Sequence, residues 1–125
     1  VAAAGDLLLG VFQGCRYTDS AGEVIYSPYW PTTTVSSDAV AFVVDDPNAL
    51  FEVQSAATGS VVQTVVGLNA DIVYTAGSTV NGRSNVDLSG TMATGTAQCR
   101  IIGFSTYVNM IVKINEHLYA QTTGV

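Results

Sequence analysis

The chain has 125 residues, of which 48% are hydrophobic and only 11% are charged, and it carries a formal net charge of −6. This length suits one domain with one hydrophobic core. Four Lys and Arg residues stand against ten Asp and Glu residues, so there is no basic stripe for phosphate contacts and direct binding of nucleic acid is not expected. The 18 valines and 14 threonines favour strands over helices, and we predict an all-β protein.

The amino-terminal residues predict an arm followed by a hairpin. Small residues fill positions 1–6 and are typical of a flexible arm, while the apolar start is too short to span a bilayer and lacks the basic residues of a secretion signal. We therefore expect a soluble chain that does not enter membranes. The alternating stretch 7–18 predicts a strand, 19–22 reads Asp-Ser-Ala-Gly as a type I turn prefers, and 23–27 is the expected partner strand.

A stiff aromatic loop follows this hairpin. Pro28 and Pro31 bracket Tyr29 and Trp30, and each proline restricts both its own backbone and that of the residue before it. A Trp held in this way is either a lid over one end of the core or an anchor for a partner. We favour the lid, because Trp is mostly buried even in monomers.

The middle of the chain predicts a second hairpin. Ala39–Asp45 is a continuous apolar run typical of a strand buried on both faces, Asp46-Pro47-Asn48 predicts a turn, and Leu50–Gln54 alternates as a returning strand. Adjacent carboxylates at Asp45 and Asp46 are compatible with a cation site. Without a calcium-loop pattern or a third carboxylate, turn capping is the better interpretation.

The region from residue 60 to residue 96 is less regular. Residues 60–66 fit either a strand or a short helical turn, 70–75 predicts a short strand, and a polar loop then contains Arg83 after an Asn-Gly pair. Arg83 is either a fork for a partner or an internal clamp paired with Asp71 or Asp87, and we favour the clamp.

The last strands organise the predicted fold. Met110, Val112 and Ile114 alternate on one face of a strand, and the adjacent Ile101 and Ile102 indicate either cover on both faces or a bulge near Gly103. In all, about eight or nine strands are predicted. We predict one domain over residues 1–125, an antiparallel β-sandwich or barrel that is jelly-roll-like.

No arrangement of residues predicts catalysis or a metal site. His117 is the single histidine, and we expect it to be a partly exposed strand residue without a nucleophile beside it. Cys15 and Cys99 are far apart and outside any C-x-x-C pattern, which favours two reduced, buried thiols over a disulfide. We therefore expect a protein that is not an enzyme and has no cofactor.

Several short segments together resemble the capsid decoration (cement) proteins of tailed bacteriophages. In chain order they are LLGVFQGCRYTD, VIYSPYWP, AFVVDDPNALFEVQ, VGLNAD, NGRSNVDL, AQCRIIGF and VKINEHLYA. They span nearly the whole chain, although each is short and none carries chemistry. The chain departs from the expected pattern between Val73 and Val80 and after Tyr107, which affects the geometry of partner contacts.

This resemblance implies a structural role in a virion. It implies a β-domain on the outer surface of an icosahedral head, assembled in the host cytoplasm, that stabilises contacts between capsomers of the major capsid protein and is itself a dimer or trimer. We expect contacts through the arm, the aromatic loop and one exposed sheet edge. The candidate contact residues are Val1, Ala2, Ala3, Ala4, Gly5, Asp6, Tyr29, Trp30 and Arg83.

Two other functions stay open from the sequence. One is a carbohydrate-binding β-sandwich on the virion that aids attachment to a host, with Tyr26, Tyr29 and Trp30 as a stacking platform. The other is a structural protein of the phage tail or neck. Exposure of Trp30 beside polar side chains would favour sugar binding, whereas burial under a neighbouring subunit would favour the cement role.

Overall fold

The structure is a computed structural model that describes residues 2–57 and 62–120. These residues form an all-β, sandwich-like domain of antiparallel sheets, which confirms the predicted fold class. The strands are β1 (Val11–Thr18), β2 (Val24–Ser27), β3 (Val40–Val44), β4 (Leu50–Gln54), β5 (Asn69–Ala70), β6 (Ile72–Val73), β7 (Asp87–Leu88), β8 (Cys99–Phe104) and β9 (Asn109–Ile114). Short 3-10 helices span Gln63–Val65 and Leu118–Ala120.

The first hairpin forms a three-stranded sheet in the order β2-β1-β3. Its turn is closed by a hydrogen bond from the Gly22 amide to the Asp19 carbonyl at 3.1 Å, and the Asp19 side chain accepts from the Ala21 amide at 2.9 Å. This confirms the predicted turn and its partner strand. Arg16 lies opposite Tyr26 on one side and opposite Val40 on the other, so these three side chains share a face.

The second sheet has four strands in the order β4-β9-β8-β5, with β8 and β9 at its centre. The pairing of β8 with β9 shifts register between Ile101 and Gly103, which confirms the bulge that the two adjacent isoleucines suggested. Ile101 is fully buried, whereas Ile102 is exposed, because successive residues of a strand point to opposite faces.

The hydrophobic core lies on the four-stranded sheet. Leu88 of β7 packs there against Ile101 and Met110, and β6 pairs with β7 beside the same sheet. The buried members of this core cluster are Ala70, Leu88, Cys99, Ile101, Met110 and Val112. None of them comes from the three-stranded sheet, whose buried apolar side chains are Cys15 and Tyr17, so most of the apolar burial lies in the second half of the chain.

The prediction that β3 and β4 form a second hairpin is wrong. β3 pairs with β1, whereas β4 pairs with β9, so these neighbouring strands belong to different sheets. The predicted turn does form, with the Ala49 amide donating to the Asp46 carbonyl at 3.1 Å, but it is a crossover between sheets. Strand β3 is also not buried on both faces, because four of its five residues are exposed. An apolar run does not reveal whether a layer covers it.

The carboxyl-terminal part differs from the prediction in the burial of His117. Strand β9 ends at Ile114, and His117 is fully buried rather than partly exposed. It forms a bridge with Leu8, and its Nδ1 accepts a hydrogen bond from the Tyr119 amide at 3.1 Å. The predictions for Val1, for the first part of 60–66 and for the tail 121–125 concern residues outside those described.

Candidate interaction surface

The three-stranded sheet exposes apolar side chains on the face that carries Tyr26. We call this the Tyr26 face, and its residues are Gly14, Arg16, Val24, Tyr26, Val40, Phe42 and Val44. Tyr26 is 71% exposed, Val24 is 56% exposed and Phe42 is 45% exposed. Apolar side chains exposed together on one face of a sheet are typical of a surface that contacts another molecule.

Gly14 makes a depression in the Tyr26 face. It has no side chain where Tyr26 and Phe42 flank β1, and the shallow, open space there has a volume of about 330 Å³. A Cβ atom at Gly14 would lie 2.9 Å from the Ser27 carbonyl oxygen, closer than packed atoms allow. The depression is therefore built into the backbone geometry of the hairpin.

Trp30 lies on the opposite face of the same sheet. Its ring meets the ring of Tyr17 edge to face, with centroids 5.3 Å apart and planes at 64°. Trp30 is nevertheless 42% exposed and is absent from the core cluster. Trp30 thus covers the buried Tyr17 of the three-stranded sheet, as a lid would, and borders a second shallow depression lined by Phe12 and Ala41. Its role as an anchor for a partner stays a prediction.

The structure brings Tyr29 and the loop of Arg83 together. A Cβ atom at Gly82 would collide with Cδ1 of Tyr29, so the ring lies directly against the glycine. The turn is closed by the Gly82 amide donating to the Ser78 carbonyl and the Ser78 amide donating to the Arg83 carbonyl, both at 2.9 Å. The aromatic loop and this turn thus form one surface.

Arg83 is not the internal clamp that we favoured. In residues 2–57 and 62–120 its guanidinium forms no ion pair with Asp71 or Asp87, and Arg83 is exposed. The loop is held by backbone hydrogen bonds and by the Asn85 amide side chain, which donates to the Ala76 carbonyl at 2.9 Å. The Arg83 side chain is consequently available to a partner.

The amino-terminal segment lies elsewhere and is docked on the domain. The fully buried Gln98 donates from Nε2 to the carbonyls of Ala3 at 2.8 Å and Asp6 at 2.7 Å. The Ala3 amide in turn donates to Asp6 Oδ2 at 2.8 Å, and the Leu8 amide donates to the Glu116 carbonyl at 2.8 Å. Residues 3–6 are thus a bound turn, and the flexibility of the arm stays a prediction. The role of Gln98 was not foreseen, because a glutamine beside Cys99 carries no recognisable pattern.

One carboxylate, that of Asp38, joins the central strand β1 of the three-stranded sheet to the outer strand β3. Asp38 accepts from the Ser36 hydroxyl and the Thr18 hydroxyl, each at 2.6 Å, and from the Thr18 amide at 2.9 Å. These hydrogen bonds, with a smaller contribution from the Arg16 charge, hold the pKa of the Asp38 carboxyl well below its usual range. The residue ties the start of β3 to the end of β1.

The cysteines are free and buried, as predicted. Burial, followed by the negative charges of Asp71 and Glu116, raises the pKa of the Cys99 thiol to about 11, so it is a poor nucleophile at neutral pH. Among the described residues no three His, Cys, Asp or Glu side chains come together as a metal site. Asp46 caps its own turn by accepting from the Asn48 amide at 2.8 Å, in agreement with the capping interpretation.

Comparison with known proteins finds no family model, no curated protein and no solved structure that matches this chain. Within the described residues, no helix is long and apolar enough to cross a membrane. A functional proposal therefore depends on the surface of the three-stranded sheet and on the loops beside it.

Proposed function

We propose that the chain is a structural virion protein of a tailed bacteriophage, a cement protein that binds the outside of the head and stabilises contacts between capsomers of the major capsid protein. The observation that supports this proposal is the Tyr26 face, an apolar sheet surface that no described residue of the chain covers. A sheet exposed in this way gains stability when another protein covers it.

The mechanism follows from mass action. A protein that binds the assembled shell but not its separated subunits adds its binding free energy to the stability of the shell. Many symmetric copies multiply a modest contact, so a patch of a few apolar side chains is sufficient on a lattice. The exposed Arg83 beside the Tyr29 loop supplies a polar contact at the rim.

The carbohydrate-binding alternative has less support from the geometry. Tyr26 lies on one face of the sheet and Trp30 on the other, so the two rings do not form one stacking platform. The depression beside Trp30 is lined by Phe12 and alanines rather than by the polar groups that orient a sugar ring. A role in the tail or neck uses the same apolar face and differs only in the place of binding.

The test is to rebuild phage heads that lack the protein and measure their resistance to heat. Heads rebuilt with the wild-type chain should resist heat better than bare heads, and Phe42→Ser should reduce both occupancy and resistance. Tyr107→Ser is the matched control, because Tyr107 is an exposed aromatic residue of the β8–β9 turn, away from the Tyr26 face. Absence of binding to heads by the wild-type chain, or heads equally labile with and without it, would contradict the proposal.

A further inference from the structure

Strand β3 has a free backbone edge, and its five residues contain neither a charge nor a proline. It pairs with β1 on one side only, and no other described residue pairs with Val40–Val44. Natural sheets protect such edges with short strands, prolines, charges or a covering element, because a free edge of unpaired N–H and C=O groups can pair with another chain.

The other outer strands of the described sheets do carry such features. β2 has four residues and runs directly into Pro28, while β4 carries the charged Glu52. β5, β6 and β7 have two residues each. β3, with the sequence VAFVV, is thus the one strand in the described part of the chain that combines a free edge, five uncharged residues and no proline.

We infer that two copies of the chain associate through antiparallel pairing of β3 with β3 of the second copy, about a two-fold axis at Phe42. The dimer would form in the free protein, so the inference depends on the proposed function only where it places that dimer on a virion. It joins two three-stranded sheets into one six-stranded sheet with a continuous Tyr26 face.

The sequence of β3 is complementary to itself in this register. Pairing about Phe42 places Val40 opposite Val44, Ala41 opposite Val43 and Phe42 opposite Phe42. Every pair is apolar, and cross-strand pairs of aromatic and β-branched residues are favourable. Val40, Phe42 and Val44 already share the Tyr26 face, so the paired side chains extend that face rather than cross to the other side.

The two neighbouring registers with two-fold symmetry pair fewer residues of β3 with one another. An axis at Ala41 places Asp38 opposite Val44, and an axis at Val43 places Asp45 opposite Ala41. Each also leaves part of the five-residue strand without a strand partner. The register about Phe42 is the one that pairs all five residues of β3 with one another and leaves the acidic residues beyond both ends of the strand.

The first measurement is the mass of the free protein at increasing concentration. A five-residue pairing is a small interface, so we expect a monomer–dimer equilibrium with a dissociation constant on the order of micromolar or weaker. Phe42→Lys should raise this constant by on the order of tenfold or more, because it places two like charges opposite each other. Tyr26→Lys is the matched control and should leave the constant within about twofold.

That control also separates edge pairing from face-to-face packing. Tyr26 is the most exposed aromatic residue of the shared face but lies on β2, away from the β3 edge. If Tyr26→Lys abolishes the dimer and Phe42→Lys does not, the contact is elsewhere and the inference is wrong. A wild-type chain that stays monomeric up to about 1 mM also overturns it.

Disulfide trapping tests the register without relying on a destabilising change. Directly opposed residues in an antiparallel pair have Cα atoms about 4.5–5.5 Å apart, which a disulfide can bridge. Phe42→Cys should cross-link to itself on mild oxidation, whereas Val40→Cys should cross-link to Val44→Cys in a mixture and not to itself. The native thiols are buried and should stay reduced. Cross-linking of Val40→Cys to itself, or none at Phe42→Cys, refutes this register even if heads bind the protein normally.

Discussion

A single buried amide, that of Gln98, holds the amino-terminal turn on the domain. Its Nε2 donates to the carbonyls of Ala3 and Asp6, and its Oε1 accepts from the Ile72 amide at 3.0 Å. Gln98→Glu keeps the shape of the side chain but points an oxygen at two carbonyl oxygens. We expect this change to release residues 3–6 and to cost about 2–3 kcal/mol of stability, because buried polar groups lose their partners.

Hydrogen exchange measures this release. The amide of Asp6, which donates to the Ala3 carbonyl at 3.2 Å, should exchange faster in Gln98→Glu, whereas the amide of Leu8 should stay protected by the Glu116 carbonyl. Gln63→Glu makes the same chemical change at an exposed position and should alter neither. Unchanged exchange at Asp6 would show that the turn is held by other contacts.

The contact between Tyr29 and Gly82 gives a second prediction at the level of one residue. Gly82 has a φ of +68°, and a methyl group there would collide with the Tyr29 ring. Gly82→Ala should therefore be less stable than Gly67→Ala, whose φ of +91° is similarly unfavourable but whose surroundings are open. We expect about 1 kcal/mol for the control and about 1–3 kcal/mol more for Gly82→Ala, measured by urea unfolding. Equal costs would mean that the loop moves aside freely.

At the scale of elements, the Asp38 carboxylate couples β1 to β3. Its pKa is lower in the folded chain than in an unfolded one, so its contribution to stability is present above the ordinary pKa of about 4 and is lost as pH falls below it. The stability difference between the wild type and Asp38→Asn should therefore shrink between pH 5 and pH 2. Thr18→Val removes one donor and should reduce that pH dependence in part. A difference that does not change with pH would contradict this coupling.

Elements with a local cause were predictable, and those with a distant cause were not. The Asp19–Gly22 turn follows from short-range turn chemistry and was predicted outright, and the bulge before Gly103 was one of the two interpretations that the adjacent isoleucines allow. The pairing of β3 with β1 rather than β4 depends on contacts over nearly thirty residues of chain, which no local pattern encodes. The exposure of β3 has the same origin, since VAFVV reads alike whether or not a second layer covers it.

In the candidate surface too, features with a local cause were more predictable than those that depend on distant contacts. The prolines around Tyr29 and Trp30 predicted a stiff loop with Trp30 mostly buried as a lid, whereas Tyr29 is 38% and Trp30 42% exposed. The position of Trp30 on the face opposite Tyr26 depends on hairpin register, and the contact of Tyr29 with Gly82 depends on tertiary packing. The sequence pattern contained neither piece of information. It also did not indicate Gln98, because one buried glutamine resembles any other polar residue in a sequence.

At the scale of the whole molecule, the charge distribution predicts how self-association responds to salt. The chain carries a net charge of −6, and pairing of β3 about Phe42 brings Asp38 of one copy opposite Asp46 of the other at each end of the strand. The pairing itself is apolar, so electrostatics only oppose it. Raising the salt concentration from about 0.05 M to 0.5 M shortens the screening length severalfold and should lower the dimer dissociation constant.

Asp46→Asn should weaken that salt dependence, whereas Glu23→Gln, a change of the same charge in the β1–β2 turn, should lower the overall charge without that local effect. Sedimentation equilibrium at several salt concentrations measures the dimer dissociation constant of the wild type and of both variants. A dissociation constant that rises with salt would indicate an interface built on ion pairs, and Arg16 or Arg83 would then replace the β3 edge as the place to look for it.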